Sequence, residues 1–304
     1  MKVLFLGSSL FSQIVLERLL RSKHEVLAVV CQPDRPSGRG HKLVSPEIKL
    51  FAESKGIKVF QFEKVSQHID EVFEGVDIAV TASFGQILSR AFIATKMCLN
   101  VHPSRLPLYR GATPLQTALL NGEKETAVTI QKMVYEVDEG DIILQQDIKI
   151  EDDDNFSTLT EKTAKLGGEL LVKALDLIER GKEIYTKQDG SKATYTKMIK
   201  KEDGFLDFTN SAENIVNRVR ALGENPGCYF FVGEDRIKVS KTAICTDFDV
   251  KPNEILVKNK RFLIGAKDFC VEILRCQAPN GKMLDAKDFL NGYKFSKMQV
   301  NDAT

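Results

Sequence analysis

The sequence predicts an α/β fold, a doubly wound and mostly parallel sheet, followed by a smaller C-terminal β-barrel domain. Three observations predict it: apolar runs alternate with helical periodicity over residues 1–181, a lysine-rich stretch fills 182–203, and short strand-like runs fill 204–304. Apolar strands between amphipathic helices are typical of a parallel sheet covered on both faces. Short strands with polar turns are typical of a small or partly open barrel.

The first domain, residues 1–181, begins with strand–turn–helix alternation. The predicted strands are residues 2–6, 25–31, 77–83 and 98–102, with a further pair at 126–134 and 141–150 that can form a hairpin. The predicted helices are residues 11–20, 46–55, 86–94 and 156–181. Gly181 stands where a C-terminal glycine is expected to end the last of these helices.

The second half of the chain changes in character after Gly181. Residues 182–203 carry six lysines and little periodicity, which is typical of a linker. Residues 204–304 contain one predicted helix, at 211–222. Four strand-like runs follow it, at 227–232, 236–244, 254–266 and 269–278. This pattern predicts the small barrel.

Composition excludes several classes of function. The chain has 304 residues, 43% hydrophobic residues and a net charge of +1, so no global field attracts nucleic acid. No apolar run approaches membrane-spanning length and the N-terminus does not have the form of a signal peptide, so we expect a cytoplasmic protein without a membrane partner. The six cysteines are scattered without a CxxC pair, which predicts no disulfides and no metal site. The turn at Gly7 lacks GxGxxG, which argues against nicotinamide binding.

A candidate site lies at the end of the strand "CLNVH", residues 98–102. Ligands of open α/β sheets bind at the carboxyl ends of strands. Side chains alternate along a strand, so Asn100 and His102 are expected on one side, where both can donate to a developing negative oxygen. The alternative is a histidine that only makes local hydrogen bonds.

Two loops accompany this strand. "PSRLPLYRGATP", residues 103–114, contains three prolines, so its backbone can be held rigid for a ligand; it can equally be a stiff connector. Asp138, in "EVDEGDIILQ", precedes a predicted strand, and a carboxylate near His102 would fix the tautomer of the ring. An ordinary hairpin turn is the alternative for Asp138.

Together these motifs resemble the folate-dependent formyltransferases. The shared pattern is Asn100-x-His102 at a strand end, the loop "SRLPLYRGATP" and Asp138 in "VDEGDI". "ASFGQIL" (82–88) resembles the folate-side segment of this family, "QPDRPSGRGHKL" (32–43) a loop that enters a tRNA acceptor stem, and "MLDAKDFLNG" (283–292) the end of the C-terminal domain. Nearly the whole chain is covered, although the family usually has Leu where Arg105 stands.

The resemblance implies a Rossmann-like catalytic domain, an OB-like second domain that contacts tRNA, and a reaction. The formyl group of 10-formyltetrahydrofolate would pass to the α-amine of methionyl initiator tRNA. Separately, no feature of the sequence suggests an interface between copies, so we expect a monomer. The implied catalytic residues are Asn100 and His102 as donors to the oxyanion and Asp138 as the proton acceptor. The implied folate-binding residues are Phe84, Gly85, Gln86, Ile87, Ser104, Arg105, Leu106 and Pro107. Taken without the resemblance, residues 84–87 are a strand-to-helix turn.

The basic loop at residues 32–43 is the implied tRNA contact. Arg35, Arg39 and Lys42 give it positive charge, and Arg39 is the residue expected to recognise tRNA. Without the resemblance the loop is equally well a solvated connector. Two other functions stay open: a formyltransferase acting on an amino sugar nucleotide, and a non-catalytic RNA-binding module on the same fold.

Overall fold

The computed structural model describes residues 1–37 and 42–301. Within this part of the chain there are two compact units. The first unit consists of Met1–Pro114, Glu125–Ile150 and Thr158–Thr196, and the second of Leu115–Lys124, Glu151–Ser157 and the chain from Lys197 onward. Among these residues no helix is long and apolar enough to cross a membrane.

A seven-stranded sheet forms the centre of the first unit. The strands of this unit are β1 (Lys2–Gly7), β2 (Glu25–Cys31), β3 (Arg35–Ser37), β4 (Lys42–Val44), β5 (Lys58–Gln61), β6 (Ile78–Ala82), β7 (Cys98–His102), β8 (Glu125–Lys132) and β9 (Ile142–Lys149). The order in the sheet is β5-β2-β1-β6-β7-β8-β9, whereas β3 and β4 pair separately as a short antiparallel ribbon. The first five strands of the sheet are parallel, and β8 and β9 extend it in the antiparallel sense.

Helices cover both faces of this sheet. They are α1 (Leu10–Leu19), α2 (Glu47–Ser54), α3 (Ile69–Val72), α4 (Arg90–Thr95) and α6 (Phe156–Glu179). Helix α5 (Pro114–Leu120) belongs, from Leu115 onward, to the second unit. Apolar residues of α1, α2 and α6 pack with Phe5 and Val101 on one face, and those of α3 and α4 pack with Leu4 and Cys98 on the other. The predicted doubly wound sheet is confirmed.

Alternation along β7 positions the polar residues of the candidate site. Leu99 and Val101 are buried in the core beneath α1 and α6. The side chains of Asn100 and His102 therefore leave the sheet on the opposite face, since successive side chains of a strand point to opposite sides.

The second unit is an antiparallel sheet with an aromatic core. Its strands are β10 (Cys228–Val232), β11 (Asp235–Cys245), β12 (Ile255–Lys258), β13 (Arg261–Gly265), β14 (Cys270–Gln277) and β15 (Leu284–Asp285), with helices α7 (Ala212–Leu222) and α8 (Ala286–Gly292). The order is β10-β11-β14-β13-β12, and β15 pairs with β14. The rings of Phe208, Phe230, Phe262 and Phe289 contact one another in sequence, and Phe208, Phe230 and Phe262 are fully buried. Large buried rings supply much of the apolar area in a small sheet domain.

Three details differ from the sequence expectations. Residues 254–266, read as one run, form the hairpin β12–β13, whose turn residues Asn259 and Lys260 both have positive φ, as a two-residue hairpin turn of type I′ requires. Strand β5 was not expected. Part of the predicted linker, up to Thr196, belongs to the first unit. The domain boundaries after residues 181 and 203 stay predictions.

Candidate active site

Asn100 is held at the carboxyl end of β7 by hydrogen bonds to both the oxygen and the nitrogen of its side-chain amide. Its Oδ1 accepts from Thr81 Oγ1 at 2.9 Å, and its Nδ2 donates to Asp138 Oδ1 at 3.1 Å. Thr81 is on β6, directly opposite Asn100 in the parallel register. The neighbouring strand therefore fixes which way the amide points, with its N–H groups toward Asp138.

Asp138 stands on the loop before β9 with a φ of +56°, in the left-handed region. Its carboxylate accepts three hydrogen bonds: Oδ1 from Asn100 and from Gln131 Nε2 at 2.8 Å, and Oδ2 from the Gly111 backbone N–H at 2.8 Å. Charge-assisted bonds of this kind are stronger than neutral ones. The carboxylate is thus fixed by donors from two strands and one loop.

His102 completes the cluster. Its ring is buried, with Nδ1 3.5 Å from Asp138 Oδ1 and Nε2 3.1 Å from the carbonyl oxygen of Tyr109. The structure therefore brings Asn100, His102 and Asp138 together. An amide donor, an imidazole and a carboxylate within contact of one another can stabilise an oxyanion and accept a proton.

The loop at 104–107 is fastened by side chains of β8 and β9. Thr129 Oγ1 donates to Ser104 O at 2.6 Å, and Gln145 Nε2 donates to Leu106 O at 3.1 Å. The guanidinium of Arg105 lies 2.7 Å from a carboxylate oxygen of Glu125 and 3.0 Å from one of Asp147. Arg105 is thus paired with two acids, and Leu106 is buried. Folate contacts of Ser104, Arg105, Leu106 and Pro107 stay predictions.

The turn at 84–87 has one apolar side chain in the core and one in solvent. Phe84 is buried and packs in the core beneath α3 and α4, whereas Ile87 is 83% exposed. Gln86 accepts from Val65 N and donates to Phe62 O, so its side chain holds the turn itself. Gly85 has a φ of +80°, which favours glycine. Ile87 therefore has the exposed side chain of this turn, and the folate contacts of all four residues stay predictions.

The basic loop at 32–43 is described only in part. Arg35 begins β3, and its exposed guanidinium pairs with Glu63 at 3.3 Å. Lys42 begins β4. Arg39 lies outside the described residues.

Sequence reasoning missed the buried polar residues of β8. Thr129 is opposite His102 in the antiparallel register and Gln131 is opposite Asn100, and both are almost fully buried. Two polar residues at a spacing of two within the apolar run "TAVTIQK" were the available signal, because such a pattern puts both on one face of a strand.

No group of three or more potential metal ligands (His, Cys, Asp or Glu) occurs among the residues that the structure describes.

Comparison with known proteins identifies the family. A sequence model of formyl transferase matches residues 1–175, and one of the formyl transferase C-terminal domain matches residues 198–294. The chain belongs to the formyl transferase family. This formyl transferase is 36% identical over 305 residues to a protein of Sulfurihydrogenibium sp. (strain YO3AOP1) named methionyl-tRNA formyltransferase, covering 97% of each chain. It is 38% identical over 294 residues to one of the same name from Kosmotoga olearia, covering 93% of this chain and 94% of that one.

Solved structures share the fold of this formyl transferase at lower identity. The N-formyltransferase of Helicobacter canadensis, solved with folinic acid and dTDP-3-aminofucose, is 20% identical with a TM-score of 0.68, over 90% of this chain and 98% of that one. HypX of Aquifex aeolicus, solved with tetrahydrofolic acid, is 19% identical with a TM-score of 0.69, over 95% of this chain and 47% of that one. At this identity the likeness concerns the fold.

Proposed function

We propose that this formyl transferase passes the formyl group of 10-formyltetrahydrofolate to the α-amine of methionyl initiator tRNA, as a monomer in the cytoplasm. The substrate assignment rests on relatives at 36% and 38% identity that match almost end to end and carry the name methionyl-tRNA formyltransferase. The observation that carries the chemistry is the carboxylate of Asp138, which contacts Asn100 and lies beside His102 at the carboxyl end of β7.

The reaction needs no nucleophile from the protein, because the amine of the substrate attacks. Its lone pair forms the bond to the formyl carbon, and the electron pair of the C=O bond moves onto oxygen. Collapse of this intermediate breaks the bond from the formyl carbon to N10 of the folate, which keeps the electron pair and gains a proton. The amine nitrogen loses one proton. The protein must therefore stabilise an oxyanion and move a proton.

Asn100 and His102 are the proposed donors to the oxyanion. An amide nitrogen has two N–H groups, and Asp138 takes one of those of Asn100, so the second can reach a reacting oxygen. The Nε2 atom of His102 faces the carbonyl of Tyr109, so a hydrogen bond to the oxyanion would replace that contact. Preorganised donors of this kind typically contribute about 100- to 1000-fold in rate each.

Asp138 is the proposed acceptor of the amine proton, directly or through one water. Its three donors hold the carboxylate in one orientation, so that it reaches the transition state with little rearrangement. Ile87 and the backbone at 104–107 are the proposed wall for the folate ring, and Arg35, Arg39 and Lys42 the proposed contacts to tRNA phosphates or bases.

A transfer assay tests this proposal. 10-formyltetrahydrofolate is supplied with methionyl initiator tRNA or with a panel of amino sugar nucleotides, using wild type, Arg39→Ala and the matched control Arg21→Ala, whose exposed arginine pairs with Glu17. We expect transfer to the tRNA, weakened by Arg39→Ala and unchanged in the control. Transfer to a sugar nucleotide instead, with Arg39→Ala silent, would overturn the substrate assignment, and tRNA binding without any transfer would indicate a non-catalytic RNA-binding module.

A further inference from the structure

Gln188 differs from its neighbours in a segment that otherwise faces solvent. Within residues 184–192 it is half-buried, whereas the residues on either side are exposed. Backbone pairing fastens the chain on both sides of Gln188: Thr186 pairs with Ile142, and Tyr195 pairs with Arg110. The side chain of Gln188 therefore points into the first unit from a segment anchored on each side of it.

The amide nitrogen of Gln188 donates to the loop that carries Asp138. Nε2 lies 2.7 Å from the carbonyl oxygen of Asp138 and 2.8 Å from that of Gly140. A primary amide has two N–H groups, so one can go to each carbonyl. Gln188 thus fixes two backbone positions of this loop with one side chain.

The amide oxygen of Gln188 is fixed in turn by a buried arginine. Arg110 donates to Oε1 from Nε at 3.2 Å and from Nη2 at 2.9 Å, and its Nη1 lies 2.8 Å from a carboxylate oxygen of Glu139. The side chain of Arg110 is only 4% exposed. A forked guanidinium holds its acceptor in one plane, so the orientation of the Gln188 amide is determined.

The loop needs such support because Asp138 is in the left-handed backbone region. That conformation is unfavourable for a residue with a Cβ, and it persists where surrounding contacts determine it. The carboxylate of Asp138 meets Asn100, Gln131 and Gly111 only if its backbone keeps this conformation.

We propose that Gln188 is a positioning residue for formyl transfer: it holds the backbone of residues 138–140 so that the Asp138 carboxylate stays against Asn100 and His102. This inference rests on the proposed function, since it assigns Gln188 a part in that reaction. It implies that a residue without contact to either substrate affects turnover through Asp138.

The test combines Gln188→Glu with Asp138→Asn in a double-mutant cycle of formyl transfer to methionyl initiator tRNA. Gln188→Glu places an oxygen where Nε2 faces two carbonyl oxygens, while its other oxygen can still accept from Arg110. We expect kcat to fall roughly 10- to 100-fold, with KM for both substrates within about twofold of wild type. In the Asp138→Asn background the same change should lower the rate less than about twofold, because the group that Gln188 positions is already lost.

Three measures make the result decisive. Single-turnover reactions at high enzyme concentration resolve the low rates. Gln188→Met replaces Gln188→Glu if the latter variant unfolds. Gln146→Glu is the matched control, because it makes the same change at an exposed site of β9. An equal loss in both backgrounds, or no loss while wild type transfers formyl to the tRNA, would overturn the proposed role of Gln188 and leave the proposed function standing. A wild type that transfers nothing to the tRNA would overturn the proposed function as well.

Discussion

The backbone N–H of Gly111 donates to Asp138 Oδ2 across 2.8 Å, which joins the loop after β7 to the loop before β9 through one carboxylate. The other oxygen of this carboxylate accepts from Asn100 and Gln131. Every contact of the group is therefore an acceptor contact, so an amide in its place would set an NH2 group against at least one N–H donor.

Asp138→Asn should lower kcat for formyl transfer by at least about 100-fold, since it removes the proton acceptor and breaks this set of bonds. Steady-state kinetics with methionyl initiator tRNA measure the effect. Asp70→Asn, on the exposed side of α3, is the matched control and should retain wild-type rates. A rate within threefold of wild type for Asp138→Asn would show that the proton leaves by another route.

His102→Ala should lower the rate of transfer about 100- to 1000-fold while tRNA binding stays unchanged, because the ring is the proposed donor to the oxyanion and is buried, so it makes no surface contact. Filter binding of labelled tRNA, beside the transfer assay, separates the two effects. His68→Ala removes a half-exposed ring that stacks on Phe62 and is the control. Loss of tRNA affinity in step with the rate would contradict the assignment of His102 to catalysis.

Gly140→Ala should destabilise the protein by more than about 2 kcal/mol, because a Cβ at this position would lie 1.6 Å from the carbonyl oxygen of Lys132. A thermal melt followed by circular dichroism should show a midpoint lowered by at least about 5 °C. Gly190→Ala is the matched control, since a Cβ there meets nothing within 4 Å. Equal midpoints for the two variants would mean that the loop before β9 can move away from Lys132 at little cost.

Labelling of Cys31, Cys98, Cys228 and Cys276 should be slow in the folded protein at both pH 7 and pH 9. Burial raises the pKa of the Cys31 thiol to about 11 and those of Cys98, Cys228 and Cys276 to about 12. Since the reactive form is the thiolate, these four thiols remain protonated over this range. Peptide mass spectrometry after treatment with a thiol-reactive disulfide would show the outcome, with guanidinium-unfolded protein as the positive control. Rapid native labelling of any of the four would contradict their burial.

Strand periodicity in the sequence predicted six of the seven strands of the sheet in the first unit, all except β5. Alternation in "CLNVH" placed Asn100 and His102 on one side, and the structure brings both to Asp138. That result depends only on the alternation of side chains along one strand, which can be predicted from the sequence pattern. The doubly wound sheet follows from the same reasoning, since each buried strand is a short apolar run between amphipathic helices.

Long-range pairing explains what the sequence did not reveal. Gln131 reaches Asp138 because β8 pairs with β7 in one particular register, and Gln188 arrives from a segment whose composition is that of a linker. Spacing places Gln131 on one face of its strand with Thr129 but does not identify Asp138 as its partner, and the contact of Gln188 with Asp138 joins positions 50 residues apart. Arg105 is a similar case: its two acidic partners stand on β8 and β9.

The division of the chain into two interleaved units has a consequence for how the molecule could be shortened. Residues 115–124 and 151–157 belong to the second unit although they precede Lys197 in the chain. Arg220 of α7 donates to the carbonyl oxygens of Glu151 and Asp154. A gene fragment starting at Lys197 would encode an incomplete body whose Arg220 guanidinium has lost both acceptors, and no single proteolytic cut can release the second unit whole.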